Sequence, residues 1–189
     1  MSAPASEFPH RHCLSVEEYR RMGEAGVFPP DARLELIEGE LYEMPPIGPA
    51  HAGIVKRLNR VFDRQIGDAA IVAVQDPVIL DLHSEPQPDL ALLRFRDDFY
   101  TSAHPHAEDV LLLVEVADTT LRFDRDTKIP LYAATGIPEV WLIDVAGRSL
   151  DVFRYPEGGD YKTETRAEDL KVLRVQALPG IAFDLSDVF

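Results

Sequence analysis

Three charged residues lie within or beside apolar stretches and could act together on a phosphate. Asp89 opens the apolar run of residues 90–93, and Glu115 interrupts the apolar run of residues 110–116. Lys128 lies further along, where a helix is predicted to open. Two carboxylates with a lysine nearby can hold a divalent cation and a phosphate. These residue types therefore indicate metal-assisted phosphoryl chemistry.

The run around Glu115 predicts a strand that is covered on both faces. Six of the seven residues 110–116 are apolar and they do not alternate with polar residues, which is typical of a fully buried strand. A carboxylate at such a position costs several kcal/mol unless a metal, a cation or hydrogen bonds receive it. We therefore expect Glu115 to have a specific partner.

Asp89 and Glu115 are 26 positions apart, and consecutive strands with a short return are often neighbours in a sheet. A shared Mg²⁺ or Mn²⁺ would lower the pKa of a bound water. Lys128 would orient or help to deprotonate that water, or stabilise the charge that develops on the phosphorus. The alternative is a purely structural ion-pair cluster, such as Glu115 with Lys128.

Two further polar residues could join this site. Residues 33–38 and 40–44 flank Gly39 and predict a tight hairpin. Strand alternation places Glu35 on the same face as an isoleucine, so its side chain is either directed inward or solvated. His51 begins the inner face of the next helix, where it is either a core histidine or a functional group near the acids.

That helix, predicted from about residue 50 to Gly67, has a basic outer side. A solvated helix face and a contact with a phosphate backbone both explain such a stripe. The basic stripe consists of Lys56, Arg57, Arg60 and Arg64.

The remaining pattern predicts a mixture of helices and strands. Residues 1–13 are expected to be a flexible terminus and residues 14–189 one domain, which begins with a helix capped by Ser15 and Glu18. Beyond the elements above, we expect a strand or bent strand pair at 71–80 and a loop at 118–124 before a helix that begins near Pro130. We also expect a strand at 139–145, a hairpin at 149–155 and 160–165, and a last short strand near the end.

Composition limits the class of protein. The 189 residues carry a net charge of −14, which weighs against avid nonspecific binding of nucleic acid. No apolar run reaches the roughly 20 residues of a membrane span, and the N-terminus lacks the features of a secretion signal. Cys13 is the single cysteine, which excludes an internal disulfide and fits a reducing cytoplasm.

The order of these motifs resembles the PD-(D/E)XK nuclease superfamily and, more narrowly, its Uma-two family of restriction-endonuclease-like proteins, which is widespread in bacteria. Asp89 after a proline, Glu115 before a valine, and Lys128 followed by Tyr132 carry the resemblance. The hairpin motif around Gly39, the histidine of the next helix, and residues 139–144 extend it. The likeness runs from about residue 14 to residue 151.

The resemblance implies an α/β fold: a mixed sheet flanked by helices, with a restriction-endonuclease-like core, an N-terminal hairpin and a C-terminal β extension. It implies Asp89 and Glu115 as metal ligands and Glu35 as a further acid. His51 and Tyr132 would be accessory residues. One departure concerns residue 117, an alanine where the superfamily motif has lysine. The resemblance implies that the next helix supplies this ammonium, as Lys128.

Two functional hypotheses follow. The first is a Mg²⁺- or Mn²⁺-dependent endonuclease that hydrolyses phosphodiester bonds in DNA, with Glu35, Asp89, Glu115 and Lys128 as catalytic residues. The second is a non-catalytic scaffold or regulatory protein on the same fold that acts through protein partners, for example as a homodimer. The net charge favours the second hypothesis, and the acid–lysine set favours the first.

Overall fold

A computed structural model describes residues 11–189 and contains a two-stranded hairpin and a six-stranded mixed sheet. Residues 1–10 of the predicted flexible terminus lie outside the described residues. The strands are β1 (Leu34–Ile37), β2 (Glu40–Glu43), β3 (Ile71–Val74), β4 (Leu90–Leu93), β5 (Val110–Ala117), β6 (Glu139–Asp144), β7 (Ser149–Glu157) and β8 (Asp160–Arg166). The helices are α1 (Val16–Glu24), α2 (Pro49–Ile66), α3 (Leu121–Phe123) and α4 (Ile129–Ala134), with a π-helical turn, Asp124–Lys128, between the last two.

Strand β5 lies inside the large sheet, whose order is β3-β4-β5-β6-β7-β8. Its eight residues are all buried, as the unbroken apolar run predicts. It pairs antiparallel with β4 and parallel with β6, which makes the sheet mixed. The β7–β8 hairpin continues the sheet and confirms the predicted C-terminal β extension.

Helices cover both faces of the sheet, and alternate strand residues divide between two cores. On one face, α2 packs Leu58 and Phe62 against Trp141 of β6. On the other face, α4 packs Tyr132 among residues of β4, β5 and β6, including Leu113. Because this division follows the two-residue period of a strand, each core is specified by one set of alternate residues. Within residues 11–189, no helix combines the length and apolar character needed to cross a bilayer.

The N-terminal part is held by local signals that the sequence makes plain. Ser15 and Glu18 form the predicted capping box at the start of α1. The β1–β2 hairpin turns at Glu38 and Gly39, with φ values of 50° and 78°. A Cβ at Gly39 would lie 2.6 Å from the Cβ of Cys13, so this turn requires glycine for both conformation and space.

Three predictions of secondary structure are wrong. Residues 118–124 are not wholly loop, because helical turns begin at Leu121, although the regular helix α4 does begin beside Pro130, at Ile129, as predicted. Pro130 has no amide to donate, and the helix accommodates it by widening: the amide of Ile129 donates to the carbonyl of Asp124, five residues earlier. Ile129 keeps α-helical angles, although a following proline disfavours them.

The other two errors concern strand lengths. The predicted strand at 71–80 ends at Val74, because Gln75 takes a positive φ of 56° that turns the chain away. Strand β3 lies at the edge of the sheet, as Pro77 indicates. The last short strand is absent from residues 167–189, where a single bridge joins Leu173 and Phe183.

Candidate functional site

An open cavity of about 160 Å³ lies where β1, β4, β5 and the π-helical turn meet the start of α2. It is lined by all four residues that the sequence predicts as catalytic, together with His51, Asp118 and Asp124. The four predicted catalytic residues are at most 8% exposed. The fold therefore brings four residues that are far apart in the sequence to the wall of one cavity: Glu35, Asp89, Glu115 and Lys128.

The ammonium of Lys128 lies between two buried glutamates. Its Nζ is 2.9 Å from one carboxylate oxygen of Glu35 and 3.3 Å from Oε1 of Glu115. The inward orientation of Glu35, which the sequence left open, follows from its place on the buried face of β1 beside Ile37. The π-helical turn directs Lys128 toward the sheet, so the helix after β5 supplies the ammonium to Glu115.

The charges of this cluster are strongly perturbed. Burial raises the pKa of Glu115 to about 8, and the nearby acids Asp124, Asp89 and Glu35 add to the effect, although Lys128 opposes it. Burial alone would lower the pKa of Lys128, but Glu115, Glu35 and Asp124 outweigh it and raise that pKa well above its usual value. At neutral pH the lysine is therefore charged, and the raised pKa of Glu115 allows this carboxyl to hold a proton.

Tyr132 fixes the position of Glu115. Its hydroxyl donates to Oε1 of Glu115 at 2.5 Å, and both side chains are fully enclosed. Burial, followed by the charges of Glu115 and Glu35, raises the pKa of Tyr132 well above its usual value. The phenol therefore stays protonated and acts as a hydrogen-bond donor. One helical turn separates it from Lys128, so α4 and the π-helical turn present both groups to the same carboxylate.

Asp89 is placed by strand register. Strand β4 pairs Leu90 with Val114, and one further step of this antiparallel register sets Asp89 opposite Glu115, where cross-strand side chains are neighbours. The carboxylate of Asp89 accepts from the amide of Val116 at 2.8 Å. Nε2 of His51 lies 2.9 Å from its Oδ1. Since a carboxylate accepts, this nitrogen carries the proton.

Sequence reasoning missed two residues of this site. Asp124 is 4% exposed, accepts from the Thr120 hydroxyl at 2.6 Å, and has a carboxylate oxygen 4.0 Å from Nζ of Lys128. The four-residue spacing of Asp124 and Lys128 could have revealed it, but residues 118–124 were predicted as a loop. The side-chain Nε2 of Gln75 donates to Oδ1 of Asp89 at 3.2 Å, and no local signal indicates that contact.

The basic stripe is not part of this cavity. Its four residues are exposed on α2, and the 3.6-residue period places them on the opposite side of the helix from His51. The guanidinium of Arg57 donates to the carbonyls of Asp187 and Val188, at 3.3 Å in each case. The three arginines of the stripe thus border a separate groove, together with Asp184, Asp187 and Val188.

The cavity has the chemistry of a site for a hard divalent cation. Its acids Glu35, Asp89, Glu115 and Asp124 outnumber the one enclosed lysine, and carboxylate oxygens are the ligands that Mg²⁺ and Mn²⁺ prefer. Within residues 11–189, no three His, Cys, Asp or Glu side chains are placed to hold one ion together. Mg²⁺ commonly binds through one or two carboxylates plus waters and substrate phosphate, so Asp89 and Glu115 fit this requirement.

The comparisons with known proteins agree with this fold. A crystal structure of "a putative nuclease belonging to DUF820" from Anabaena variabilis ATCC 29413 superposes with a TM-score of 0.73 at 15% sequence identity, over 93% of this chain and 97% of that chain. The shared fold is therefore a mixed sheet flanked by helices. The family model Uma2, described as "Putative restriction endonuclease", matches residues 16–186. This chain belongs to the Uma2 family. None of the curated proteins compared with it matches.

Proposed function

We propose that this protein is a divalent-metal-dependent phosphodiesterase that cleaves DNA. The observation that carries the proposal is the shared cavity, in which the ammonium of Lys128 is held between Glu35 and Glu115 while Asp89 lies on the neighbouring strand. Membership of a family described as "Putative restriction endonuclease" supports the same function.

Each residue would have a distinct role. Asp89 and Glu115 would hold a Mg²⁺ or Mn²⁺ ion, which when bound would polarise the phosphodiester and lower the pKa of a water molecule. The raised pKa of Lys128 makes it a poor proton acceptor at neutral pH. It would act as a fixed cation that stabilises the negative charge developing on the phosphate. Glu35 would hold the ammonium in place.

Two more residues would keep the ligands in position. Tyr132 donates to Glu115, and His51 donates to Asp89. Both contacts leave part of each carboxylate facing the cavity, because every one of these acids lines it. Supporting hydrogen bonds of this kind orient metal ligands and raise their affinity for the ion.

A thermal melt with and without Mn²⁺ tests the proposed ligands. A cation that binds the folded state at 100 times its Kd stabilises it by about 2.7 kcal/mol, or roughly 5–11 °C for a chain of this size. The Asp89→Asn and Glu115→Gln variants should lose this rise. Asp63→Asn removes an exposed acid of α2 and should retain it. Equal rises in the wild type and both site variants would remove these residues from the metal site.

Cleavage is tested separately, with DNA and RNA oligonucleotides and millimolar Mn²⁺. We expect wild-type protein to cut DNA and the two ligand variants to be inactive. Failure to cut any nucleic acid, with a normal melt and a normal metal response, would contradict the nuclease.

A second candidate is a non-catalytic scaffold that acts through protein partners, in the simplest case as a homodimer. The enclosure of Lys128, which is 3% exposed and already paired with two glutamates, favours it, as does the net charge of −14. In this case the cluster would serve the fold alone, and no metal would be required.

A further inference from the structure

The candidate site is recessed, and this restricts the shape of its substrate. Asp89, the most accessible of the four predicted catalytic residues, is only 8% exposed. The cavity of about 160 Å³ has room for about five water molecules at roughly 30 Å³ each, which is space for a phosphate and little more. Duplex DNA is stiff over about 150 base pairs and carries its phosphates on its outside. A strand without a partner can turn one phosphodiester inward.

One wall of the cavity is apolar and exposed. It is the segment of residues 44–48, in which Pro45 and Pro46 are exposed and Ile47 is 39% exposed. A Cβ at Gly48 would lie 3.2 Å from Oδ2 of Asp118, so the wall closely approaches the loop after β5 and narrows the entrance. An apolar surface beside a phosphate site suits unpaired bases, whose flat faces are free to pack against aliphatic side chains and leave water.

Arg33 supplies a cation on the same wall. It precedes β1, lies two residues from Glu35, and donates to the carbonyl of Pro45 at 2.6 Å. Among the described residues that line the cavity, Arg33 and Lys128 are the two that carry a fixed positive charge, and Lys128 is already paired. A single strand carries one charge per about 3.4 Å, half the density of a duplex, so a chain of charge −14 repels it less.

We propose that the cavity takes an unpaired nucleic-acid strand, with the scissile phosphate among Asp89, Glu115 and Lys128. The flanking base packs on Pro45, Pro46 and Ile47, and Arg33 contacts the adjacent phosphate. This inference rests on the proposed function and specifies its substrate class. An intact duplex is a substrate only where its strands separate.

The test compares three DNA substrates of one sequence: a 30-nucleotide single strand, the same sequence with a central unpaired bubble, and a duplex closed by hairpins at both ends. Binding is measured by fluorescence anisotropy with Ca²⁺, another cation bound through oxygen ligands, and cleavage is measured with Mn²⁺. We expect the single strand and the bubble to bind about 10-fold more tightly than the closed duplex, the effect of burying about 55 Å² of apolar surface at about 25 cal/mol per Å².

Two variants locate the preference. Ile47→Ser and Arg33→Gln should each weaken single-strand binding by about 5- to 10-fold, through lost apolar contact and a lost phosphate contact respectively, and leave duplex binding unchanged. The matched controls are Val172→Ser, an exposed valine far along the chain, and Arg21→Gln on α1. Neither control should change binding.

The binding and cleavage results separate the two claims. Equal affinity for the three substrates would overturn the inference, whether or not DNA is cut. So would a preference for the single strand over the duplex that both the Ile47→Ser and the Arg33→Gln variants retain. Cleavage of the closed duplex as fast as the single strand would also overturn it, while the proposed nuclease would stand. A strand preference that depends on Ile47 and Arg33, without cleavage, would support the binding site and contradict the proposed function.

Discussion

Replacing Lys128 with methionine removes its charge and keeps most of its volume. The ammonium is 3% exposed and lies within 3.3 Å of both Glu35 and Glu115. Removal of one partner from a buried ion pair costs about 3–5 kcal/mol. Because the pKa of Glu115 is already raised to about 8, this carboxyl can take a proton at neutral pH. We therefore expect a loss near the lower limit, about 3 kcal/mol.

In a chain of this length, each kcal/mol shifts Tm by about 2–4 °C, so Lys128→Met should lower Tm by roughly 6–12 °C. The double variant Glu35→Gln/Lys128→Met should recover about 1 kcal/mol or more of this loss, since neighbours in one ion pair are not additive. Lys162→Met is the control: its ion pair with Glu157 is exposed, and its removal should change stability by less than about 0.5 kcal/mol.

The assay pairs calorimetric melts with Mn²⁺-dependent cleavage by the same preparations. If the protein is a nuclease, Lys128→Met should cut DNA at least about 100-fold more slowly, the scale of losing one preorganised stabilising group. Its Mn²⁺-dependent rise in Tm should remain, because Asp89 and Glu115 are intact. An unchanged Tm would refute the reasoning about buried charge. Large destabilisation beside a wild type that cuts no nucleic acid would refute the nuclease and leave the scaffold.

Three further predictions follow from single features. Without metal, Tm should fall as the pH rises from 5 to 8, because the pKa of Glu115 is about 8 in the folded state against 4.5 in the unfolded chain. The Glu115→Gln variant should flatten this pH profile, and a wild-type Tm that rises with pH would contradict the prediction. Ser15→Ala should lower Tm by about 2–4 °C through loss of the capping box, whereas Ser186→Ala, outside any helix, serves as control. Changing the basic stripe to glutamine should leave DNA binding at the cavity unchanged, because none of its four residues lines that cavity; weaker binding with a smaller salt slope would show instead that the stripe contacts phosphates.

The sequence determined the elements whose signals are local. The unbroken apolar run at 110–116 predicts the buried strand β5, because only a strand covered on both faces tolerates no polar alternation. Ser15 and Glu18 predict the start of α1, since they satisfy its free amides. The hairpin at Gly39 follows from the turn, which requires positive φ. Each of these features depends on a few neighbouring residues, and each is present in the structure.

Tertiary structure alone decided which groups meet and which face each side chain takes. Glu35 is directed inward because Lys128, 93 positions away, provides the counter-charge that a buried carboxylate needs. Asp124 joins the cavity because the helix starts early and widens to accommodate Pro130, a compromise that no local propensity encodes. The basic stripe faces away from the acids because the helix packs its opposite side, including His51, toward the sheet. Such outcomes depend on contacts between distant segments, which is why composition and periodicity could name the candidates but could not place them.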